Sequence, residues 1–179
     1  MFSSLRKLAI AGSCLLACGS HAKSPPEDFN FRGATFGIPK STLKKLHKVD
    51  CQTYGTTDFC SESYVEIGSL LASRVLYSFA GDKLNDIDVS FHAVRFDRAR
   101  EAVTIKYGEP AVYQLEELIE GGIKVTATQW VWVRPEVEII MQFPSFTHNE
   151  GSLKYLPPGS LHARSERRRE QAKRDAESF

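Results

Sequence analysis

The stretch Phe79-Ala80-Gly81-Asp82-Lys83-Leu84-Asn85-Asp86-Ile87-Asp88-Val89-Ser90-Phe91 is followed, four residues later, by Phe96-Asp97-Arg98-Ala99-Arg100-Glu101-Ala102-Val103-Thr104-Ile105-Lys106-Tyr107-Gly108. In the first part Ile87, Val89 and Phe91 alternate with Asp86, Asp88 and Ser90, the period of two that belongs to a strand buried on one face. In the second, Phe96, Ala99, Val103 and Tyr107 return at helical spacing; Gly108 is available to end the helix and Pro110 forbids its continuation. The strand-like run from Arg74 to Phe79 faces residues 84–91 across Gly81-Asp82, as in a hairpin. A hairpin passing straight into an amphipathic helix predicts a mixed fold with an antiparallel sheet.

Toward the C-terminus, residues 112–118, 123–133 and 137–143 read as three strands, separated by Gly121-Gly122 and Arg134-Pro135-Glu136. The middle one places Val125, Ala127, Gln129, Val131 and Val133 on one side and Thr126, Thr128, Trp130 and Trp132 on the other. Two indoles on one face need a cover, and packing inside the protein is favoured over a binding surface. Residues 145–158 mix turn formers with Phe146, Leu153, Tyr155 and Leu156 and are expected to form a closing loop or short strand.

Toward the N-terminus, Phe29, Phe31 and residues 34–36 suggest a first strand. Ser41 or Thr42 then caps a short helix with Leu43, Leu46 and Val49 on one face and lysines on the other. Residues 161–177 have strong helix propensity and almost no apolar stripe, so pairs such as Glu166 with Arg169 and Glu170 with Arg174 are expected to support a solvated helix. Attraction of its basic residues to anionic lipid, peptidoglycan or an acidic partner is the weaker reading. The expected fold is α+β: an antiparallel sheet with two short helices packed on one face, in two similarly organised halves, plus a C-terminal charged helix.

The whole chain has 179 residues, 42% hydrophobic and 25% charged, with 23 basic against 22 acidic side chains and a net charge of +1. These values fit one globular domain with extensions and exclude a collagen-like or wholly disordered chain; no general attraction to nucleic acid follows from them. The balance hides an asymmetry. Residues 23–160 carry 15 basic and 18 acidic groups, net −3, whereas residues 161–179 carry 6 and 4, net +2.

Arg6 and Lys7 precede a short apolar run, 8–18, that ends in small residues, the pattern of a secretory signal peptide. The run is shorter than the roughly 20 residues a spanning helix needs. Leu15-Leu16-Ala17-Cys18 resembles the bacterial lipobox, in which cleavage precedes a cysteine whose thiol carries diacylglycerol; Cys18 would then be the lipidated N-terminus. Ser20-His21-Ala22 offers ordinary cleavage before Lys23 as the alternative, and Cys14 is read as filler of the leader. The expected organisation is a signal peptide at 1–17, a flexible tether at 18–28, the α+β domain at 29–160 and the charged tail at 161–179. The expected location is the periplasm, attached to a membrane through the N-terminal lipid.

Export favours pairing of the two remaining cysteines, Cys51 and Cys60, across a loop that follows the first helix. A metal site built from both and His47 is the weaker alternative, because the Cys-x8-Cys spacing lacks the tight knuckle of zinc sites. Asp82, Asp86 and Asp88 lack calcium-loop spacing and are expected on a solvated face. The five histidines form no catalytic motif, glycine-rich phosphate loops are missing, and Glu116, Glu117 and Glu120 read as solvated carboxylates. No catalytic, cofactor-binding or metal residue is therefore assigned and no cofactor is expected. His47, His92 and His148 are the residues whose replacement would test for an enzyme.

Residues 31–39 (Phe-Arg-Gly-Ala-Thr-Phe-Gly-Ile-Pro), 79–91 and 106–110 (Lys-Tyr-Gly-Glu-Pro) resemble a pattern in small exported bacterial proteins of poorly defined function. They also loosely resemble the BamE-type outer-membrane-assembly lipoproteins, where a helix ending in Gly-x-Pro and a strand pair around a Gly-x-Leu turn recur. The resemblance implies a binding fold without catalysis. The order of elements and the longer second half depart from that small domain, which leaves its assembly partner without support here. The function expected is a non-catalytic protein-binding or assembly accessory module of the cell envelope, with its partner and oligomeric state open. The alternative is a periplasmic inhibitor or immunity protein that neutralises a toxin or hydrolase; an enzyme is the weakest of the three.

Overall fold

The structure, a computed structural model, describes residues 29–118, 124–145 and 149–177. Cys18, the leader and the tether lie outside the described residues, as do Glu120 and His148. The elements run α1 (Lys40–Leu46), β1 (Asp50–Tyr54), β2 (Thr57–Ile67), β3 (Leu70–Ala80), β4 (Lys83–His92), a 3-10 turn (Ala93–Arg95), α2 (Phe96–Tyr107), β5 (Ala111–Leu118), β6 (Lys124–Val133), β7 (Glu138–Phe143), β8 (Glu150–Leu156) and α3 (Ser160–Glu177). The fold is mixed α+β.

All eight strands join one antiparallel sheet in the order β1-β2-β3-β4-β8-β7-β6-β5. Three two-residue turns make the first four strands a meander. Gly55, Gly68 and Gly81 occupy the first turn position with φ of 62°, 59° and 62°, a backbone that glycine adopts without strain and that matches the twist of a hairpin. The two meanders meet where β4 pairs with β8, Ile87 opposite Tyr155 and Val89 opposite Leu153.

Register determines the core. Val75, Val89, Leu153, Met141, Trp130 and Val112 lie opposite one another across six strands; Tyr77, Ile87, Tyr155, Ile139 and Trp132 form the next row on the same face. Tyr77, Ile87, Val89, Ile139 and Met141 are fully buried. Phe96 of α2 packs on Phe91, Trp130 and Phe143, and Phe31 packs on Tyr77 and Tyr155. Burying each such ring contributes about 1.5–3 kcal/mol. Gly151 makes room for this layer: a Cβ there would sit 2.8 Å from Phe91 Cε2 and 3.0 Å from Phe96 Cδ2.

Three local expectations change and a fourth is narrowed. Residues 29–36 form no strand, only a bridge between Phe31 and Ala34, while the backbone of Gly37 and Ile38 bonds to Leu84. Of the two forms expected for residues 145–158, a closing loop or a short strand, residues 150–156 take the strand, and as β8 it lies in the middle of the sheet. The cysteine segment is a hairpin of β1 and β2 rather than a loop. Neither Ser41 nor Thr42 caps α1: Pro39 takes the cap position, and the Lys40 amide donates to the carbonyl and carboxylate of Asp82 instead. Leu43 is fully buried, but Leu46 is half exposed.

The helix α3 is anchored at its start. Buried Glu138 on β7 accepts the amides of Gly159 at 2.8 Å and Leu161 at 2.7 Å, placing a carboxylate where the first-turn N–H groups need an acceptor. Residues 167–176 are all exposed. Glu166 pairs with Arg169 at 3.0 Å as expected, whereas Arg174 bonds to Gln171 rather than Glu170.

Candidate functional site

Three regions combine chemistry with exposure or buried polarity, and α1, α2 and the outer strands position them. The first is a polar cluster at the end of α1. His47 follows the helix directly and stacks on Tyr77 with ring centroids 5.7 Å apart. Glu62 on β2 lies beside them because it pairs with Val75 and so points to the core face. Its Oε1 accepts from Arg32 Nη1 at 2.8 Å and from the Tyr77 hydroxyl at 2.8 Å, and His47 Nδ1 stands 3.5 Å away.

Burial pushes the His47 pKa below its ordinary 6.5, outweighing the attraction of Glu62; Arg32 pushes the same way as burial. Desolvation, with Glu62 as hydrogen-bond partner, raises the Tyr77 phenol above its usual range. The donors around Glu62 are already engaged with it, which makes the carboxylate a structural hub. His47 Nε2 is buried and has no partner among the described residues.

Cys51 and Cys60 stand directly opposite each other on β1 and β2, and their sulfurs are at disulfide distance, 1.99 Å. Bonded to each other, they are not metal ligands. Among the described residues no group of three His, Cys, Asp or Glu side chains is placed to hold a metal ion. The three aspartates of the fourth strand region have separate tasks: Asp82 receives the start of α1, Asp86 lies half-buried opposite Ser78, and Asp88 pairs with Lys154 at 2.9 Å. His92 caps the 3-10 turn through the Val94 amide, away from the Glu62 cluster in sequence and in bonding.

The second region is a cavity of about 280 Å³ between α2 and the turn of β2 and β3, adjoined by another of about 250 Å³. The sheet supplies its floor through Val89, Leu153 and Tyr155; Ala99 and Ala102 form the helix wall. Alanines at those two helix positions leave space that larger side chains would fill. Ile67, Leu70 and Phe31 close the opposite side.

The third region lies on the other flank of α2, where a cavity of about 490 Å³ separates the helix from β5. Ile105, Val112 and Trp130 give it an apolar strip, and Asp97, Glu101, Glu109 and Arg100 surround the strip. Arg100 lies over the Trp130 ring at 5.7 Å from its centroid. Trp130 is half-buried and Trp132 buried, so the internal packing expected for the pair is complete only for Trp132.

β5 is the last strand of the sheet, and its outer side has no neighbour among the described residues. Val112 and Tyr113 on it are 56% and 51% exposed. Glu116 and Glu117 belong to the same strand. Neither this edge nor the Glu62 cluster carries a sequence motif. The alternating apolar residues of β5 were visible, but its position at the sheet edge depends on pairing between distant strands.

Among the described residues no helix is long and apolar enough to cross a membrane. No family model, curated protein or solved structure matches the chain.

Proposed function

We propose that the protein is an exported envelope lipoprotein, attached through Cys18, that works without catalysis by binding an extended segment of a partner protein along β5. The observation that carries this reading is the open edge of β5 beside the cavity containing Ile105, Val112 and Trp130. An added strand would pair with main-chain groups, and the cavity would receive one of its alternate side chains. Asp97, Glu101 and Glu109 around the apolar strip favour a segment in which an apolar residue is flanked by basic ones. A natural edge is usually blunted by charge, proline or shortness; β5 has eight residues, no proline, and its two charges, Glu116 and Glu117, come after an uncharged run at 111–115.

The same reading holds the architecture to be two similar halves with their short helices on one sheet face. Support comes from chain order, α1 before the β1–β4 meander and α2 before β5–β8. His47 and Phe96, one at each helix, also meet Tyr77 and Trp130, which stand in neighbouring rows of one sheet face. The lipid anchor rests on the sequence around Cys18.

The test places a photo-crosslinking amino acid at Val112, Tyr113 or Tyr54 of the full chain in native envelopes. A discrete adduct from Val112 and Tyr113, absent from exposed Tyr54 on the opposite edge, is expected. Adducts from all three, or from none, would reject the β5 surface. A resident envelope protein in the adduct supports the accessory role, while a toxin or hydrolase supports the inhibitor reading. Globomycin treatment or Cys18→Ser should change precursor size and membrane fractionation; no change in either rejects the anchor.

A further inference from the structure

The cavity pair between α2 and the β2–β3 turn is independent of the β5 edge, and its lining is chemically one-sided. The floor and walls are apolar, provided by Val89, Leu153, Phe31 and Val103 among others. The charged residues lining the two adjoining cavities are Arg98, Arg32 and Lys106, with no carboxylate among the described lining residues. That bias runs against the domain, which is net acidic over residues 23–160.

Arg32 is engaged by Glu62 at 2.8 Å. Arg98 forms no ion pair among the described residues, and Lys106 lies over the Tyr107 ring, 5.1 Å from its centroid. An apolar slot with cations at its rim complements a molecule that is apolar along its length and anionic at one end. Pockets of a few hundred cubic ångströms are the usual size for small-molecule sites.

We propose that this slot binds the hydrocarbon chain of a free single-chain carboxylate, a fatty acid, with the carboxylate held by Arg98 at one end of the helix wall. The chain lies over Val89 and Leu153 along the Ala99–Ala102 wall. Ala99 and Ala102 set how much hydrocarbon fits, and Arg98 selects the head group. Guanidinium suits this role because its planar donors can meet both oxygens of a carboxylate.

The experiment titrates the full chain with sodium dodecanoate below its micelle concentration, by calorimetry, beside decanoate, dodecanol and phosphatidylglycerol vesicles. One-to-one saturable binding of dodecanoate is expected. Decanoate should bind on the order of tenfold more weakly, since each buried methylene is worth about fourfold. Arg98→Gln should weaken dodecanoate about tenfold and leave dodecanol unchanged. Ala102→Trp, at an exposed helix position where the fold tolerates a large side chain, should abolish binding of both; its circular dichroism and intact disulfide verify folding, and Ala99→Leu serves in its place if it misfolds.

Absence of saturable dodecanoate binding overturns the proposal. So does equal loss of dodecanol and dodecanoate in Arg98→Gln. Vesicle binding without dodecanoate binding assigns the slot to bilayer lipid, and self-association abolished by Ala102→Trp assigns it to a second copy; either rejects the fatty acid. Loss of crosslinking at Val112 leaves this result untouched, so the two readings fail separately.

Discussion

The indole Nε1–H of Trp132 donates to the carbonyl oxygen of Gly108 across 2.6 Å. Trp132 is buried at the end of β6, and Gly108 is the residue that ends α2 with φ of 79°. The bond fixes the helix end to the sheet, and Arg134 adds a second tie by donating to the Tyr107 carbonyl. Carbonyls left open by the last helical turn thus find donors from the end of β6 and from the residue that follows it.

Trp132→Phe keeps a ring in the core but removes this donor and part of the packing. A loss of about 1–3 kcal/mol is expected in urea unfolding, with unchanged slope. Hydrogen exchange should rise first in the last turn of α2. Uniform loosening of the whole sheet would contradict the local anchoring role.

Gly151→Ala adds one methyl group where Phe91 and Phe96 leave no space. The expected cost is about 1–3 kcal/mol, as for other overpacked cores. Adding Phe96→Leu should recover part of it. Full stability in the single variant would mean that α2 is not seated as described.

The pH dependence follows from His47. Its folded pKa lies below 6.5, so as pH falls through 6.5 the unfolded chain takes up a proton that the folded state resists. Stability should therefore decline from pH 7.5 to 5.5, and His47→Phe should flatten that decline. Asp58 acts in a lower window: the Lys40 ammonium and then the Thr53 hydroxyl hold its pKa below 3.8, giving stability that is lost as pH falls through the folded value. Urea midpoints across pH 3–8 distinguish the two. An unchanged slope in His47→Phe would contradict the assignment.

Glu138→Ala removes the acceptor for two amides at the start of α3. A loss of about 1–3 kcal/mol is expected, with faster exchange at Gly159 and Leu161. Deleting residues 167–179 should shift stability by less than about 0.5 kcal/mol, because residues 167–176 are exposed.

Reduction and alkylation of Cys51 and Cys60 should destabilise by about 2–3 kcal/mol, the chain-entropy value for so small a loop. Comparison with the Cys51→Ser, Cys60→Ser variant in urea checks it. A shift below about 0.5 kcal/mol would mean that the hairpin register alone holds these strands.

The periodic elements were legible because one face of each meets the core. Residues 96–107 alternate at helical spacing and form α2; Ile87, Val89 and Phe91 point inward as their period requires. Cys51 and Cys60 were legible as a pair through their number and the export expected from the sequence. β8 was legible only as one of two alternatives, since its short run includes Gly151 and Ser152, and its central place comes from lying between β4 and β7. The cap of α1 was hidden for the same reason: its acceptor, Asp82, is 42 residues away from Lys40. The fatty-acid slot and the Glu62 cluster likewise draw on residues distant in the chain, with no local spacing to announce them.

The pairing of β4 with β8 also dictates an order of events during synthesis. β4 is complete once His92 has been made, yet its neighbour ends at Leu156, and β7 waits for that same strand. A nascent or truncated chain that stops before residue 150 presents two open, apolar strand edges side by side, both ready to recruit another chain. Keeping the polypeptide unfolded until its last strand is available removes that hazard.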